Sequence, residues 1–408
     1  MYDVIIIGGG AAGLMAAAAA SEEENRKILI IDKNMRVGRK LMITGKGRCN
    51  VTNNCTRDEF IKNITHNGKF LYSAYSAFDS ADCMEFFESH GVPLKTERGN
   101  RVFPVSDKAE DIVRVFEKII KDRGIKLRRG KVSEISAENG VVSGVVVGGE
   151  KVPAKSVILA SGGKSYPVTG SQGDGYGMAE KLGHTVTEIK PSLVPVVAEE
   201  KYCADMMGLS LKNVELTVRD EKNGKTVFTE FGEMLFTHFG VSGPIVLSAS
   251  CHMDGKERGR YKMFIDLKPA LDEKKLDDRM IRDFSENPNR DFINSLGKLL
   301  PAKMIPVTVK LSGISPEKKV NSISKAERRR LGELLKHFPI TFKEFRPVDE
   351  AIITSGGISV SEINPATMES KLVKGLYFAG EVIDVDAYTG GFNLQIAFCT
   401  GRAAGLSC

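Results

Sequence analysis

Residues 2–32 read YDVIIIGGGAAGLMAAAAASEEENRKILIID. Val4 to Ile7 is a short apolar run of the length of one buried strand. Gly8, Gly10 and Gly13 follow with G-x-G-x-x-G spacing, and small residues from Leu14 to Ala20 predict a closely packed helix. A second apolar run, Ile28 to Ile31, ends at Asp32. The order strand, glycine turn, helix, strand, acid is that of a βαβ unit that binds a dinucleotide. Gly8 permits the tight turn, Gly10 lets backbone approach a pyrophosphate, and Gly13 seats the helix on the strand. The helix N-terminus offers free N–H groups to phosphate. A bare glycine turn would show the glycines without the second strand and its acid. Asp32 is placed to accept from ribose hydroxyls and argues against a 2′-phosphate, so FAD or NAD fits better than NADP.

The 408 residues are too many for one ordinary core and predict two or three domains. At 42% hydrophobic and 27% charged, the composition is that of a soluble globular protein. The N-terminal apolar run is too short to span a membrane and is broken by glycines, so it reads as neither anchor nor signal peptide, and a cytoplasmic location is expected. Seven cysteines lie scattered with no C-x-x-C among them, which speaks against a redox disulfide or a zinc ribbon and for free thiols. A net charge of +6 suits anionic cofactors and says little about nucleic acid.

Residues 33–54, KNMRVGRKLMITGKGRCNVTNN, read as a loop along an extended dinucleotide, with Arg39, Lys40, Lys46 and Arg48 for phosphate charge and Thr44, Asn50 and Thr52 for a ring edge or ribitol. The plainer reading is a basic surface loop. Residues 56–90 read as helical, their aromatics as packing. Two short strands around Gly99-Asn100 (92–104), a helix from Asp107 to Arg123 closed by Gly124, and a meander over 125–161 follow. The meander's last strand, Ser156 to Ala160, runs into the glycine-rich ASGGKSYPVTGSQGDGYG, where Gly162 and Gly163 end the strand and backbone must come close to a ligand or to another loop; a helix then runs from Tyr176 to Leu182. No second G-x-G-x-x-G follows a strand, so one tightly held dinucleotide is expected, with NAD(P)H at most a transient electron donor.

Residues 193–267 alternate as in an antiparallel barrel or sandwich, and 270–337 are helical and charged. In the latter, Lys318, Lys319, Lys325, Arg328, Arg329 and Arg330 form a basic cluster, more often a solvated helix face than a nucleic-acid site. In the last segment Leu376 to Ala379 reads as a buried strand that delivers Gly380 and Glu381, and Gly390-Gly391 opens a helix from Phe392 to Gly405. An acid at a strand end beside a helix N-terminus is a cofactor-site arrangement if this segment returns to the first sheet.

Four blocks, GRKLMITGKGRCNVTN, GGKSYPVTGSQGDGYGMAEKLGH, FTHFGVSGP and GLYFAGEVIDVDAYTGGFNLQIAFCTG, resemble the ordered signatures of the aminoacetone-oxidase-like, BaiN/RdsA-type FAD-dependent oxidoreductases. The resemblance runs from Tyr2 to Gly405. It implies an α/β fold: a Rossmann-like FAD-binding domain in two segments (1–191 and 349–408), an inserted β-barrel (192–268 and 338–348) and a small helical subdomain (269–337). It implies extended FAD, its pyrophosphate on Gly8, Gly10, Ala11, Ala12 and Gly13, its ribose on Asp32, with Lys33 nearby. On the flavin side it places Thr44, Gly45, Arg48, Cys49 and Asn50, with Lys40 in the same loop. Glu381 after Gly380 takes the place of the ribitol acid, and Gly391, Phe392 and Asn393 face the isoalloxazine. Ser161 stands where many such proteins have Thr.

The activity implied is hydride transfer between flavin N5 and a small organic substrate, either reduction of an unsaturated steroid-like or enone compound or oxidation of a small amine. The alternative is a flavoprotein that acts on RNA, or serves as an electron-transfer partner, through the basic helical insert. Tyr166, Tyr388 and His238 are the candidate proton donors, though a turn histidine such as His238 is more often simply packed.

Overall fold

The computed structural model describes residues 1–408. The chain forms two units, one of Met1–Ser192 with Val348–Cys408 and one of Leu193–Pro347.

The first unit is built on a seven-stranded sheet. Its parallel part runs Lys126–Arg129, Ile28–Asp32, Tyr2–Ile7, Glu150–Leu159 and Leu376–Phe378, with Ile7 level with both Ile31 and Leu159, and Leu159 level with Phe378. Residues near full burial along Val4–Ile7 and Ile28–Ile31 explain why these strands are apolar without alternation: both of their faces are covered. Each such side chain contributes roughly 1.5–3 kcal/mol of burial. The Glu150–Leu159 strand is longer than the predicted Ser156–Ala160, because its first half pairs antiparallel with Val141–Val147.

The helix Ala11–Ala20 lies against the C-terminal helix Phe392–Ser407, so the two ends of the chain share one core. Small residues make this possible: a Cβ on Gly401 would stand 2.3 Å from the Ala12 carbonyl oxygen, and one on Gly405 2.3 Å from that of Ala16. The predicted helical stretch 56–90 is instead interrupted. The helix Arg57–Lys62 is separated from those at Tyr72–Ala77 and Ser80–Ser89 by a strand, Ile64–His66, whose partner is Asp386–Ala387. The loop after Asp32 folds a short helix, Arg39–Ile43.

The second unit is a closed six-stranded barrel in the order Val196–Ala198, Gly240–Ser242, Lys225–Phe236, Ser210–Asp220, Tyr261–Asp266 and Phe338–Phe345. Alternate residues, such as Tyr261, Met263 and Ile265, or Phe338, Ile340 and Phe342, fill its interior. The charged helices of 270–337 connect two adjacent strands and bury Leu276, Met280, Leu331 and Leu335.

The last of these helices, Lys325–Lys336, begins with a capping box. Ser324 N–H donates to Glu327 Oε2 at 2.8 Å, and Lys318 Nζ reaches Glu327 Oε1 at 2.7 Å. The Lys318 ammonium, then the Ser324 donors, hold the Glu327 pKa down to about 2. A lowered carboxylate pKa stabilises the fold above the unfolded value, and that contribution is lost as pH falls through about 2. Glu327→Ala is therefore expected to cost about 1–2 kcal/mol in urea unfolding at pH 7. The gap to wild type should narrow steadily below about pH 4.5; a gap independent of pH would contradict this account.

Candidate active site

The parallel strands of the first unit all end at one edge, where Gly8, Asp32, Ala160 and Ala379 leave the sheet. In an open α/β sheet this crevice is where ligands bind. Gly8 has φ +107°, and a Cβ there would meet the Ala160 carbonyl oxygen at 2.4 Å; one on Gly13 would stand 1.9 Å from the Gly8 carbonyl oxygen. Gly10 is different. It caps the Ala11–Ala20 helix in extended backbone, and nothing lies within 4 Å of where its Cβ would be. No side chain caps this helix and no acid stands in its first turn. The N–H groups of Ala11, Ala12 and Gly13 thus begin a helix beside an open cradle, which fits a pyrophosphate.

Asp32 anchors the turn. Its Oδ2 accepts from Gly9 N–H and its Oδ1 from Asn34 N–H, both at 2.7 Å, which still leaves acceptor capacity for ribose hydroxyls. Lys33 turns toward the 160–175 loop, with Nζ 2.5 Å from Asp174 Oδ2. Lys40 Nζ donates to Ser165 Oγ and to Glu381 Oε2, each at 2.7 Å, and lies 5.8 Å from the Tyr166 ring centroid. Glu381 Oε1 accepts from Thr354 N–H at 2.8 Å and Ser165 Oγ at 3.1 Å. One ionic centre thereby joins the loop after Asp32, the loop after Ala160, and the strand end at Gly380. Ser165 and Thr354 are members that sequence reasoning did not assign. Ser165 stands within a signature block and Thr354 outside all four, and only the fold brings them to Glu381.

Several expected flavin-side residues play other parts. The Arg48 guanidinium is taken by Glu97 and by Asp107 at 2.7 Å and lies 4.0 Å from the Phe103 centroid, so it braces the loop instead of facing the crevice. Cys49 has no exposed surface, and burial pushes its thiol up to about 12; it supports the loop from beneath. Thr44 Oγ1 donates to Leu41 O at 2.7 Å, and Gly45 closes on the Asn50 backbone. Asn50 Oδ1 is buried with no hydrogen-bond partner, as are Ser161 Oγ and the Tyr176 hydroxyl. Burial first, then the charges of Glu381 and Asp384, hold the Tyr176 hydroxyl above its usual pKa. Buried polar atoms without partners are costly and mark places where a ligand can supply the missing bond. Gly162 has φ +74° and turns the chain over Ser171.

At the other end of the crevice, Gly391 packs on Thr52, where a Cβ would stand 2.3 Å from the carbonyl oxygen. Phe392 turns its ring into the core near Phe60, so only its backbone N–H is available to a ligand. Asn393 clamps the preceding chain: its Oδ1 accepts from Ala387 N–H at 3.0 Å and its Nδ2 donates to Ala387 O at 2.8 Å. Tyr388 N–H donates to Asn63 O at 3.0 Å, fixing that residue beside the clamp. His238 belongs to the barrel unit, in an exposed turn with its ring edge-on to Phe239 at 5.0 Å, and is not among the residues the first unit gathers.

The chain is 30% identical to a 3-dehydro-bile acid delta(4,6)-reductase of Clostridium scindens, over 93% of its own length and 92% of that protein's. It is 30% identical to the ribosomal RNA dihydrouridine synthase of Haemophilus influenzae, over 94% and 92% respectively. Among solved structures, a 3-ketosteroid delta1-dehydrogenase from Sterolibacterium denitrificans superposes with a TM-score of 0.50 at 12% identity, covering 99% of this chain and 98% of that one, which shows a shared fold. A profile described as the HI0933-like protein Rossmann domain matches residues 2–407, and this chain belongs to that family of FAD-dependent oxidoreductases.

Proposed function

We propose that the protein saturates a C=C bond conjugated to a carbonyl in a small ring compound. The observation that carries this reading is the near-full-length similarity to a delta(4,6)-reductase of a 3-dehydro bile acid. The dihydrouridine synthases point to the same bond chemistry, since dihydrouridine is uridine with its ring C=C saturated. Bound FAD supplies hydride chemistry at N5.

The chain's own residues would do the rest. Gly10 and the N–H groups after it would hold the pyrophosphate, and Asp32 the adenosine ribose. The Phe392–Ser407 helix, which has no acid in its first turn, would present the positive end of its dipole to negative charge on the isoalloxazine. The Lys40–Glu381 centre would keep the two loops of the crevice in register.

A free small molecule is favoured over RNA because the basic cluster is largely neutralised. Lys318 pairs with Glu327, Lys319 with Asp291, Arg328 with Asp277 and Arg329 with Glu333. Such a face has little charge left for phosphates.

The test is anaerobic. The FAD-loaded protein is reduced with dithionite and mixed separately with cyclohex-2-enone, a 4-ene-3-ketosteroid and a uridine-rich RNA. Reoxidation by the enones with a saturated ketone as product is expected. Reoxidation by RNA alone would transfer the reading to the synthase activity, and bleaching of the oxidised protein by an amine would transfer it to amine oxidation. Direct reduction by NADH or NADPH is expected to be slow, and a millisecond bleach in stopped flow would contradict the single-nucleotide reading.

A further inference from the structure

Reduction of a conjugated C=C bond needs a proton as well as a hydride. A group suited to give it should carry a labile proton, be held in one orientation and reach the surface. His66 meets these conditions in the first unit. It ends the Ile64–His66 strand and sits opposite Asp386 in the two-stranded pairing with Asp386–Ala387. Its Nδ1 donates to Asp386 Oδ1 at 3.0 Å, while half of the His66 side chain is exposed and Asp386 is 1% exposed.

The Asp386 carboxylate is itself fixed from all sides. Ser355 Oγ donates to Oδ1 at 3.0 Å, and Thr65 Oγ1 and Ser192 Oγ donate to Oδ2 at 2.8 and 3.0 Å. A buried carboxylate with this many donors is a rigid anchor for an imidazole, and its bond to Nδ1 directs the other ring nitrogen outward. The anchor is tied to the N-terminus of the C-terminal helix, which the proposed function sets against the isoalloxazine. Ala387, next to Asp386, is the residue clamped by Asn393 in the first turn of the C-terminal helix, and Asn53 Nδ2 donates to Gly390 O at 2.9 Å just beyond it.

Three buried titratable groups in this unit fit less well. His184 is buried, its Nε2 engaged with Ser370 Oγ at 2.9 Å. Burial pushes Tyr75 up to about 12 and Tyr176 higher still.

We infer that His66, oriented by Asp386, delivers the proton to the substrate carbon adjacent to the carbonyl. The inference rests on the reductase reading given above. As the hydride reaches the far carbon, the imidazolium Nε2–H bond breaks and a C–H bond forms at the near carbon. The imidazole is left neutral with Nδ1–H still on Asp386, and solvent restores the proton. The two electrons arrive with the hydride. The groups facing His66 are Asp386 and Asp384, which favour its charged form, and Lys190, which opposes it; the Asp386 hydrogen bond dominates and raises the His66 pKa.

The experiment uses the FAD-loaded protein, reduced with dithionite and mixed anaerobically with cyclohex-2-enone or with ferricyanide, an acceptor that takes electrons without a proton. In His66→Gln, reoxidation by the enone is expected to slow by about 100-fold or more and to lose its pH dependence. Reoxidation by ferricyanide should stay within about 2-fold, since no proton donor is involved. An unchanged enone rate in His66→Gln overturns the inference while the reductase reading stands. A wild-type protein that reacts with ferricyanide but not with enones removes the reading, and the inference with it.

A readout independent of turnover is the NMR titration of the His66 Cε1–H. Its midpoint is expected to fall by about one unit or more in Asp386→Asn. Where that variant does not fold, Ser355→Ala, which loosens Asp386, is expected to move the midpoint as well. A midpoint that stays in place in the folded variant refutes the dyad.

Discussion

Gly10→Asp is expected to fold as well as wild type and to purify without FAD. The position is the N-cap of the Ala11–Ala20 helix at φ −85°, ψ −170°, a conformation open to any residue, and a Cβ there meets nothing within 4 Å. Asp is among the preferred N-cap residues, and its carboxylate accepts from N–H groups one or two residues on. The apoprotein should therefore melt at the wild-type temperature or slightly above it. Those same N–H groups are the ones the pyrophosphate needs, and a carboxylate among them repels phosphate. Loss of even two charge-assisted hydrogen bonds amounts to about 3 kcal/mol or more, which is roughly 150-fold or more in affinity.

Gly13→Ala is the contrasting control. Its Cβ would lie 1.9 Å from the Gly8 carbonyl oxygen, so helix and strand must part, at a cost of roughly 3 kcal/mol or more in the apoprotein. Flavin absorbance, FAD titration calorimetry and apoprotein melting separate the two outcomes. A yellow Gly10→Asp protein with wild-type FAD content would mean that the cradle is not the phosphate site.

That first line was legible because its contacts are local. A strand, a turn and a helix that pack on one another within about thirty residues leave their spacing in the sequence. The barrel strands were legible for a similar reason: alternation along Tyr261–Asp266 records which face is buried. What escaped is what depends on distant partners. The Ile64–His66 strand lies within an apparently helical stretch because its partner, Asp386–Ala387, comes some 320 positions later.

The inward turns of Cys49 and Phe392 and the bracing of Arg48 by Glu97 and Asp107 share that cause. Loop position suggested a phosphate contact for Arg48, and the family resemblance placed Cys49 and Phe392 beside the flavin, but side-chain direction is set by neighbours that local sequence does not name. The basic cluster at 318–330, read as a solvated helix face, is one in fact, but its counter-charges were not legible. Its charge is visible in the sequence, whereas Asp277 and Asp291, which neutralise two of its members, come some 30–50 residues earlier.

Glu381→Ala is expected to cost about 2–4 kcal/mol in the apoprotein, a discount on the cost of breaking a fully buried pair because both side chains remain about one-fifth exposed. The carboxylate accepts from Lys40 Nζ, Thr354 N–H and Ser165 Oγ, and its removal strands an ammonium and a backbone donor together. This bears on what Glu381 does. An ionised carboxylate has about four acceptor positions, and three are engaged by the protein itself. One is left for a ligand hydroxyl, so a tie between loops is the first role expected of the residue and ribitol acceptance the second.

Two variants decide between those roles. Glu381→Gln keeps the shape but turns an amide toward Lys40 or Thr354; Lys40→Met removes the cation. If Glu381 is a tie, Glu381→Gln loses apoprotein stability, and its FAD affinity falls in parallel with that loss. Lys40→Met with Glu381→Gln should then recover part of the loss, with a coupling energy of about 1 kcal/mol or more. If Glu381 is chiefly a ribitol acceptor, Glu381→Gln keeps the apoprotein's urea midpoint and loses FAD affinity alone, and the double variant shows no coupling. The stability pattern is the expected one, because the bonds to Lys40, Thr354 and Ser165 are formed within the chain itself and do not wait for the cofactor.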